Sequence, residues 1–131
     1  MEIIAEQNSK KCFVKGKRYG RPISDCFFTL GMSIFETLVL SKLFYDVNAQ
    51  PNLFHRSFFN KMKNSPKDFS FDLYAYYLAK KERYKIIRFP VFFGRRIHGH
   101  SVWNFGFISR ARFIKRTIKF TSELKKSLRK T

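Results

Sequence analysis

Among the residues of this chain that could do chemistry, one acid has unusual company. Asp46 lies in YDVNAQPNLFHR, Tyr45 to Arg56, where it, several amides and a proline interrupt apolar and basic sequence, with ETLVLSKLF before it and LFHRSFF after it. A carboxylate so placed is either paired or used. Paired, it forms a salt bridge with Arg56 or Arg96. The second chemical signal is arginine beside turn-forming residues, in GKRYGRPIS and GRRIHGHS. A guanidinium fork there can grip a phosphate through two bonds, and Ser24, near a helix start, can add a hydroxyl and the positive end of the dipole. The bland alternative is a pair of solvated basic loops.

Other chemistries are poorly supplied. His55, His98 and His100 are the only histidines, and His98-Gly-His100 lacks both helical spacing and acidic companions for a metal. There is no GxSxG, HExxH or Walker sequence. Metal-dependent hydrolysis and P-loop chemistry are therefore not expected of these residues. Cys12 and Cys26 have neither CxxC spacing nor the density of a disulfide scaffold, and both read as reduced, cytoplasmic thiols.

A length of 131 residues fits one domain with a real core, and 17 Phe, 6 Tyr and 1 Trp are too many for a disordered basic tail. The net charge of +18 favours anionic partners: nucleic acid, lipid head groups or phosphorylated substrates. MEIIAEQNSKK lacks the pattern of a signal peptide. The most apolar segment, CFFTLGMSIFETLVL, is interrupted by Glu36 and falls short of the roughly 20 residues that cross a bilayer. Any membrane contact is therefore expected at the surface.

Several elements must position these groups. EIIAEQ and CFVKG predict short strands, followed by a basic loop. Pro22 opens a helix to about Lys42, with Phe27, Leu30, Ile34 and Leu38 on one face and Phe28, Phe35, Val39 and Leu40 widening it. Such breadth means burial on two sides, or burial on one and lipid on the other. LFYDV and NLFHR predict strands around the amide-rich turn, and SFFNKM a short helix. Ser70 is placed to cap a helix over FDLYAYYLAKKER, and YKIIRFPVFF is the best strand, with Pro90 marking an edge or a bulge. GRRIHGHSVWNFG reads as a functional loop. The last segment sets Phe107, Ile114, Ile118, Thr121, Leu124 and Leu128 near one face of a cationic amphipathic helix.

Four of these segments, VKGKRYGRPISD, YDVNAQPNLFHR, FSFDLYAYYLAKK and FPVFFGRRIHGHS, resemble in their order the second half of a glycosyltransferase family 2 catalytic domain. The polyprenyl-phosphate sugar synthases, of the dolichyl-phosphate mannose synthase type, are the nearest kind, and the likeness runs from Phe13 to Lys119. It implies an α/β fold, the acceptor-side half of a GT-A domain over residues 1–105, followed by the cationic helix over residues 106–131. It further implies that Arg18, Arg21 and Ser24 hold the acceptor's phosphate, with Arg56, Arg96 and Ser101 adding to that binding, and that Asp46, followed by Phe54 and Arg56, stands near the reaction centre as a general base or as the group that orients the acceptor. Arg96, Gly99 and Ser101 match an R-x-x-G-x-S loop over the active site.

The sequence departs from that pattern in places. Asn52 replaces an arginine and Gln50 a glycine, and His100 and Val102 stand where an acid and a lysine are common. The donor-binding half with its Asp-x-Asp pair is not in this sequence, so the Mg2+ or Mn2+ of a complete enzyme would be held by residues absent here. The expectation is therefore a fragment, inactive alone. It would move sugar from a nucleotide donor to a lipid-phosphate or glycan acceptor at the cytoplasmic membrane face, with a separate donor-binding half and an anionic membrane surface as partners. The rival reading is a basic single-stranded nucleic-acid-binding protein, since cations interleaved with aromatics also suit phosphate contact and base stacking.

Overall fold

The structure, a computed structural model, describes residues 11–63, 65–68, 70–94 and 106–129. Its central element is β1 (Cys12–Tyr19), whose first five residues are buried. β2 (Asn52–Phe54) pairs antiparallel with it, Phe13 opposite Phe54 and Lys15 opposite Asn52. β3 (Lys85–Phe92) pairs parallel along its whole length, from Cys12 opposite Lys85 to Tyr19 opposite Phe92. The sheet order is β2-β1-β3. Pro90, which cannot donate a ladder hydrogen bond, sits in β3 at the edge of this sheet, as its residue type requires.

Between β1 and β2 runs α1 (Ile23–Leu40). After β2 come α2 (Arg56–Phe59) and α3 (Phe71–Lys81), which lead into β3, and α4 (Gly106–Arg129) follows. The chain is thus mixed α/β, with four helices and a three-stranded mixed sheet among the described residues.

Two adjoining apolar clusters form the core, and α3 contributes to both. One gathers Phe13, Phe58, Met62, Ala75, Ala79 and Tyr84; the other gathers Leu40, Phe44, Val47, Leu73, Tyr76, Tyr77 and Leu124. The first is held by edge-to-face rings, Phe13 on Phe58 at 5.5 Å and Phe58 on Tyr84 at 4.9 Å. Each such pair contributes about 1 kcal/mol beyond its burial.

Three expectations need correction. LFYDV forms no strand: Ser41 and Asp46 both take left-handed backbone, with φ of 53° and 45°, and the Thr37 hydroxyl accepts the Phe44 N–H at 2.9 Å. Side-chain bonding to the backbone there outweighs β propensity. At α3 the Ser70 side chain makes no cap hydrogen bond; the Asp68 carboxylate accepts the Ser70 N–H at 3.0 Å instead. The third concerns α4. Its Thr117, Thr121 and Leu124 are buried, and Phe28 meets Phe113 with ring centres 6.1 Å apart. Asp25 pairs with Arg110, while Leu40 and Leu124 share a core cluster, so α1 and α4 run side by side in the same direction. The amphipathic helix lays its apolar face on its own chain. Phe107 and Ile118, expected on that face, are exposed. The expected first strand lies outside the described residues.

Gly16 is where the turn before β2 presses on β1. A Cβ there would meet the Gln50 carbonyl oxygen at 2.3 Å, whereas one on Gly31 of α1 meets nothing within 4 Å. Gly16→Ala is expected to destabilise the chain by about 1–3 kcal/mol, and Gly31→Ala to stabilise it by up to about 1 kcal/mol; urea unfolding of both variants checks the contrast.

Candidate functional site

The carboxyl end of β1 and the turn after α1 bring Arg18, Arg21 and Asp46 together. Arg18 donates from Nε to Asp46 Oδ1 at 2.9 Å and adds a second guanidinium N–H to the same oxygen, while its backbone N–H reaches Oδ2 at 3.1 Å. Arg21 Nη2 stands 3.7 Å from Oδ1. The Asp46 N–H in turn donates to Ser33 Oγ at 3.2 Å, which ties the turn to α1. Asp46 is fully buried, and its φ of 45° is one that aspartate tolerates better than most side chains. Burial pushes its pKa up, but the hydrogen bonds and charge of Arg18, with the charge of Arg21, outweigh that and hold the carboxyl below its ordinary range. The acid is thus paired, with Arg18 and Arg21; Arg56 is not its partner, and Arg96 lies outside the described residues.

Arg21 is also held by Thr29, whose hydroxyl accepts from Nη1 at 2.9 Å, while its buried Nε has no partner among the described residues. It lines a pocket of about 280 Å³ with Ile23, Cys26, Phe27, Thr29, Leu30 and Tyr45. One wall of this pocket is therefore cationic and polar, and the rest mostly apolar. Nearby, the Arg18 guanidinium lies over the Phe93 ring at 5.7 Å, and Tyr19 packs on Phe92.

The amides of the Asp46 segment have their own task. Lys15, fully buried in β1, donates to the Ala49 carbonyl at 3.0 Å and to Asn52 Oδ1 at 2.9 Å. Asn52 and Gln50 then donate to the Asp72 carboxylate, each at 2.8 Å. Gln50 and Asn52 thus bridge a buried lysine to an acid of α3. Burial lowers the Lys15 pKa to about 8, against the pull of Asp72. Burial likewise raises that of Asp72, with Lys15 and the amides opposing it. Arg88 completes the layer, donating to the carbonyls of Gly16 and Tyr45 and to the Tyr76 hydroxyl.

Sequence reasoning missed Lys15, Asp72 and Arg88. The available signal was a charged residue inside each of the apolar runs CFVKG and KIIRFPV, where solvation is unavailable. Glu36 was noticed only as an interruption. It is buried in α1, its Oε2 has no partner among the described residues, and burial pushes its pKa up to about 8.

The remaining expected residues are not gathered here. Ser24 is exposed in the first turn of α1. Arg56 starts α2 beyond the Phe54–Phe13 pairing, so Arg18 stands about 16 Å further along β1. Arg96, Gly99 and Ser101 lie outside the described residues. Among the described residues no three His, Cys, Asp or Glu side chains come together as metal ligands. The two carboxylates of the site are covered by guanidinium and amide groups.

Comparison with known proteins returns no family model, curated relative or solved structure that matches this chain.

Two outcomes follow from this geometry. Asp46→Asn leaves two guanidinium groups without their counter-charge and is expected to cost about 3 kcal/mol or more. Because the folded pKa of Asp46 lies below its unfolded value, its contribution is present above about pH 4 and is lost as pH falls through the folded pKa; urea midpoints from pH 3 to 6 should fall with acid less in the variant. Glu36 acts oppositely: between its ordinary 4.5 and about 8 the folded state keeps a proton that the unfolded state has released, so stability declines across that window. Glu36→Gln should flatten the decline, read from urea unfolding between pH 5 and 8.

Proposed function

We propose that this chain is the acceptor-side half of a GT-A glycosyltransferase of family 2, acting at the cytoplasmic membrane face on a lipid-linked phosphate acceptor. The observation that carries the reading is Arg21: a nearly buried guanidinium, preorganised by Asp46 and Thr29, lining a pocket whose other walls are Ile23, Phe27 and Leu30. Cation and grease at that spacing suit an amphiphile with an anionic head and a hydrocarbon chain.

The state of Asp46 helps choose between acceptors. A sugar hydroxyl must lose a proton as it attacks, and the acid that would take it is held ionised by Arg18 and Arg21 and is engaged on both oxygens. A phosphate oxygen is already anionic and needs no base. Asp46 therefore serves by fixing Arg18 and Arg21 where the acceptor's charge sits, and that preorganisation lowers the cost of bringing two anions together. In the reaction, a phosphate oxygen bonds to the anomeric carbon as the carbon's bond to the nucleoside diphosphate breaks, with inversion. The donor and its divalent metal fall to residues other than these, since the 131 residues contain no Asp-x-Asp pair.

Binding of geranyl phosphate, a short soluble acceptor analogue, tests this by calorimetry. The chain is expected to bind it better than geraniol or inorganic phosphate, and Arg21→Gln to weaken it about ten- to a hundredfold, the worth of a charge-assisted hydrogen bond. The chain alone should transfer no sugar. Equal affinity for geraniol, an Arg21→Gln variant that binds as well, or preference for a single-stranded oligonucleotide would overturn the reading.

A further inference from the structure

The broad apolar helix predicted from sequence is buried on one side only. Ile23, Phe27, Leu30, Ile34 and Leu38 recur at helical spacing along α1, and each is between 45% and 74% exposed. The stripe runs the length of an 18-residue helix, about 27 Å. Ser33, Glu36 and Leu40 take the buried side, and Phe28 and Asp25 face α4. Among the described residues nothing covers the stripe. Phe107, 94% exposed, and Ile108 stand in the turn of α4 that precedes Arg110, and the Asp25–Arg110 contact holds that turn against the start of α1.

An exposed apolar surface of this extent marks an interaction site. We infer that the outer face of α1 is the lipid-contacting surface of this protein, and that its partner is an anionic bilayer. The charge selects the partner. The chain carries +18, and α4, lying beside α1, presents Arg112, Lys115, Lys119 and Lys126 outward. Net positive charge draws the protein to anionic head groups, and an apolar helix face entering the acyl boundary there is the arrangement of an interfacial helix. By length and composition α1 is also able to cross a membrane. Its packing argues otherwise, because one flank is fixed to α4 and its inner side carries Ser33 and Glu36. The helix lies on the surface.

This surface deepens the proposed function and rests on it in one respect: Ile23, Phe27 and Leu30 belong both to the stripe and to the Arg21 pocket, so an acceptor's chain enters that pocket from the bilayer. Lipid contact itself is measurable without the acceptor. The full chain is floated with vesicles of phosphatidylcholine, with and without phosphatidylglycerol, free of any polyprenyl phosphate, at about 0.15 M salt. Binding is expected only with phosphatidylglycerol. The Ile34→Asp/Leu38→Asp double variant, whose sites are exposed and outside the pocket, should lose it at least tenfold while still binding geranyl phosphate. Arg21→Gln should do the reverse. Folding of each variant is checked by urea unfolding, with Ile34→Ser/Leu38→Ser as the second variant should the charged one fail.

Three outcomes would overturn the inference: no flotation with anionic vesicles, flotation unchanged in the double variant, or a wild-type dimer that the double variant breaks without change in flotation. Retention of the wild-type chain in membranes through alkaline extraction would also overturn it, because the helix would then span. In each case intact geranyl phosphate binding would leave the proposed function standing.

Discussion

The bond between Asp46 and Arg18 is the constraint on which the rest of the structure turns. It joins the end of the central strand to the turn that leaves α1, two segments 28 residues apart in sequence. Asp46 also stands beside Arg21, which Thr29 of that helix holds, and its own backbone takes a left-handed conformation. A buried carboxylate stripped of its cations would be costly, and so would the reverse. Neither side can therefore move without the other, and the pocket beside Arg21 inherits that rigidity.

A second polar layer beneath the site follows the same logic with less certainty of charge. Lys15, Asn52, Gln50 and Asp72 form a chain of donors and acceptors from β1 to α3, and Arg88 ties β3 to the same region. Burial works against the ionised form of Lys15 and of Asp72, and each opposes that effect in the other. Such a layer contributes little net stability, because desolvation offsets most of the attraction. Its effect is on geometry: it sets the height at which the Asp46 segment crosses the sheet. Glu36, one of whose oxygens has no partner among the described residues, shows what burial does to an acid: it outweighs the opposing charge of Lys15 and pushes the pKa up to about 8.

How much of this was legible in the sequence depended on whether the deciding forces were local. The helices over Ile23–Leu40 and Phe71–Lys81 and the strand over Lys85–Phe92 come from periodicity and β-branched content, which the chain carries in place. Asp46 and its arginines were legible as residue types, because an acid between apolar runs and arginines beside glycine are both anomalous. Their pairing was not, since Arg18 and Arg56 are equally basic and only the antiparallel register of β2 sends Arg56 the other way. LFYDV looked like a strand because its side chains are apolar and aromatic, yet the Ser33, Thr37 and Asp46 side chains bond to its backbone or fold it into a turn. The α4 helix was read correctly as amphipathic, but amphipathicity does not say which greasy surface will cover it. That its apolar face fell on α1, leaving the other side of α1 bare, is a matter of tertiary packing.

The most direct measurement is the Nε–Hε nuclear magnetic resonance signal of Arg21 during titration with geranyl phosphate. A buried Nε without a partner among the described residues, beside a pocket for an anionic head, should shift steeply on the first equivalents, before the resonances of exposed arginines such as Arg56 and Arg112 respond. The Arg18 Nε–Hε signal should shift less, since that N–H already donates to Asp46. If Arg21 stays still while surface arginines drift together, the phosphate is being held by net charge alone, and the account of a built site is wrong.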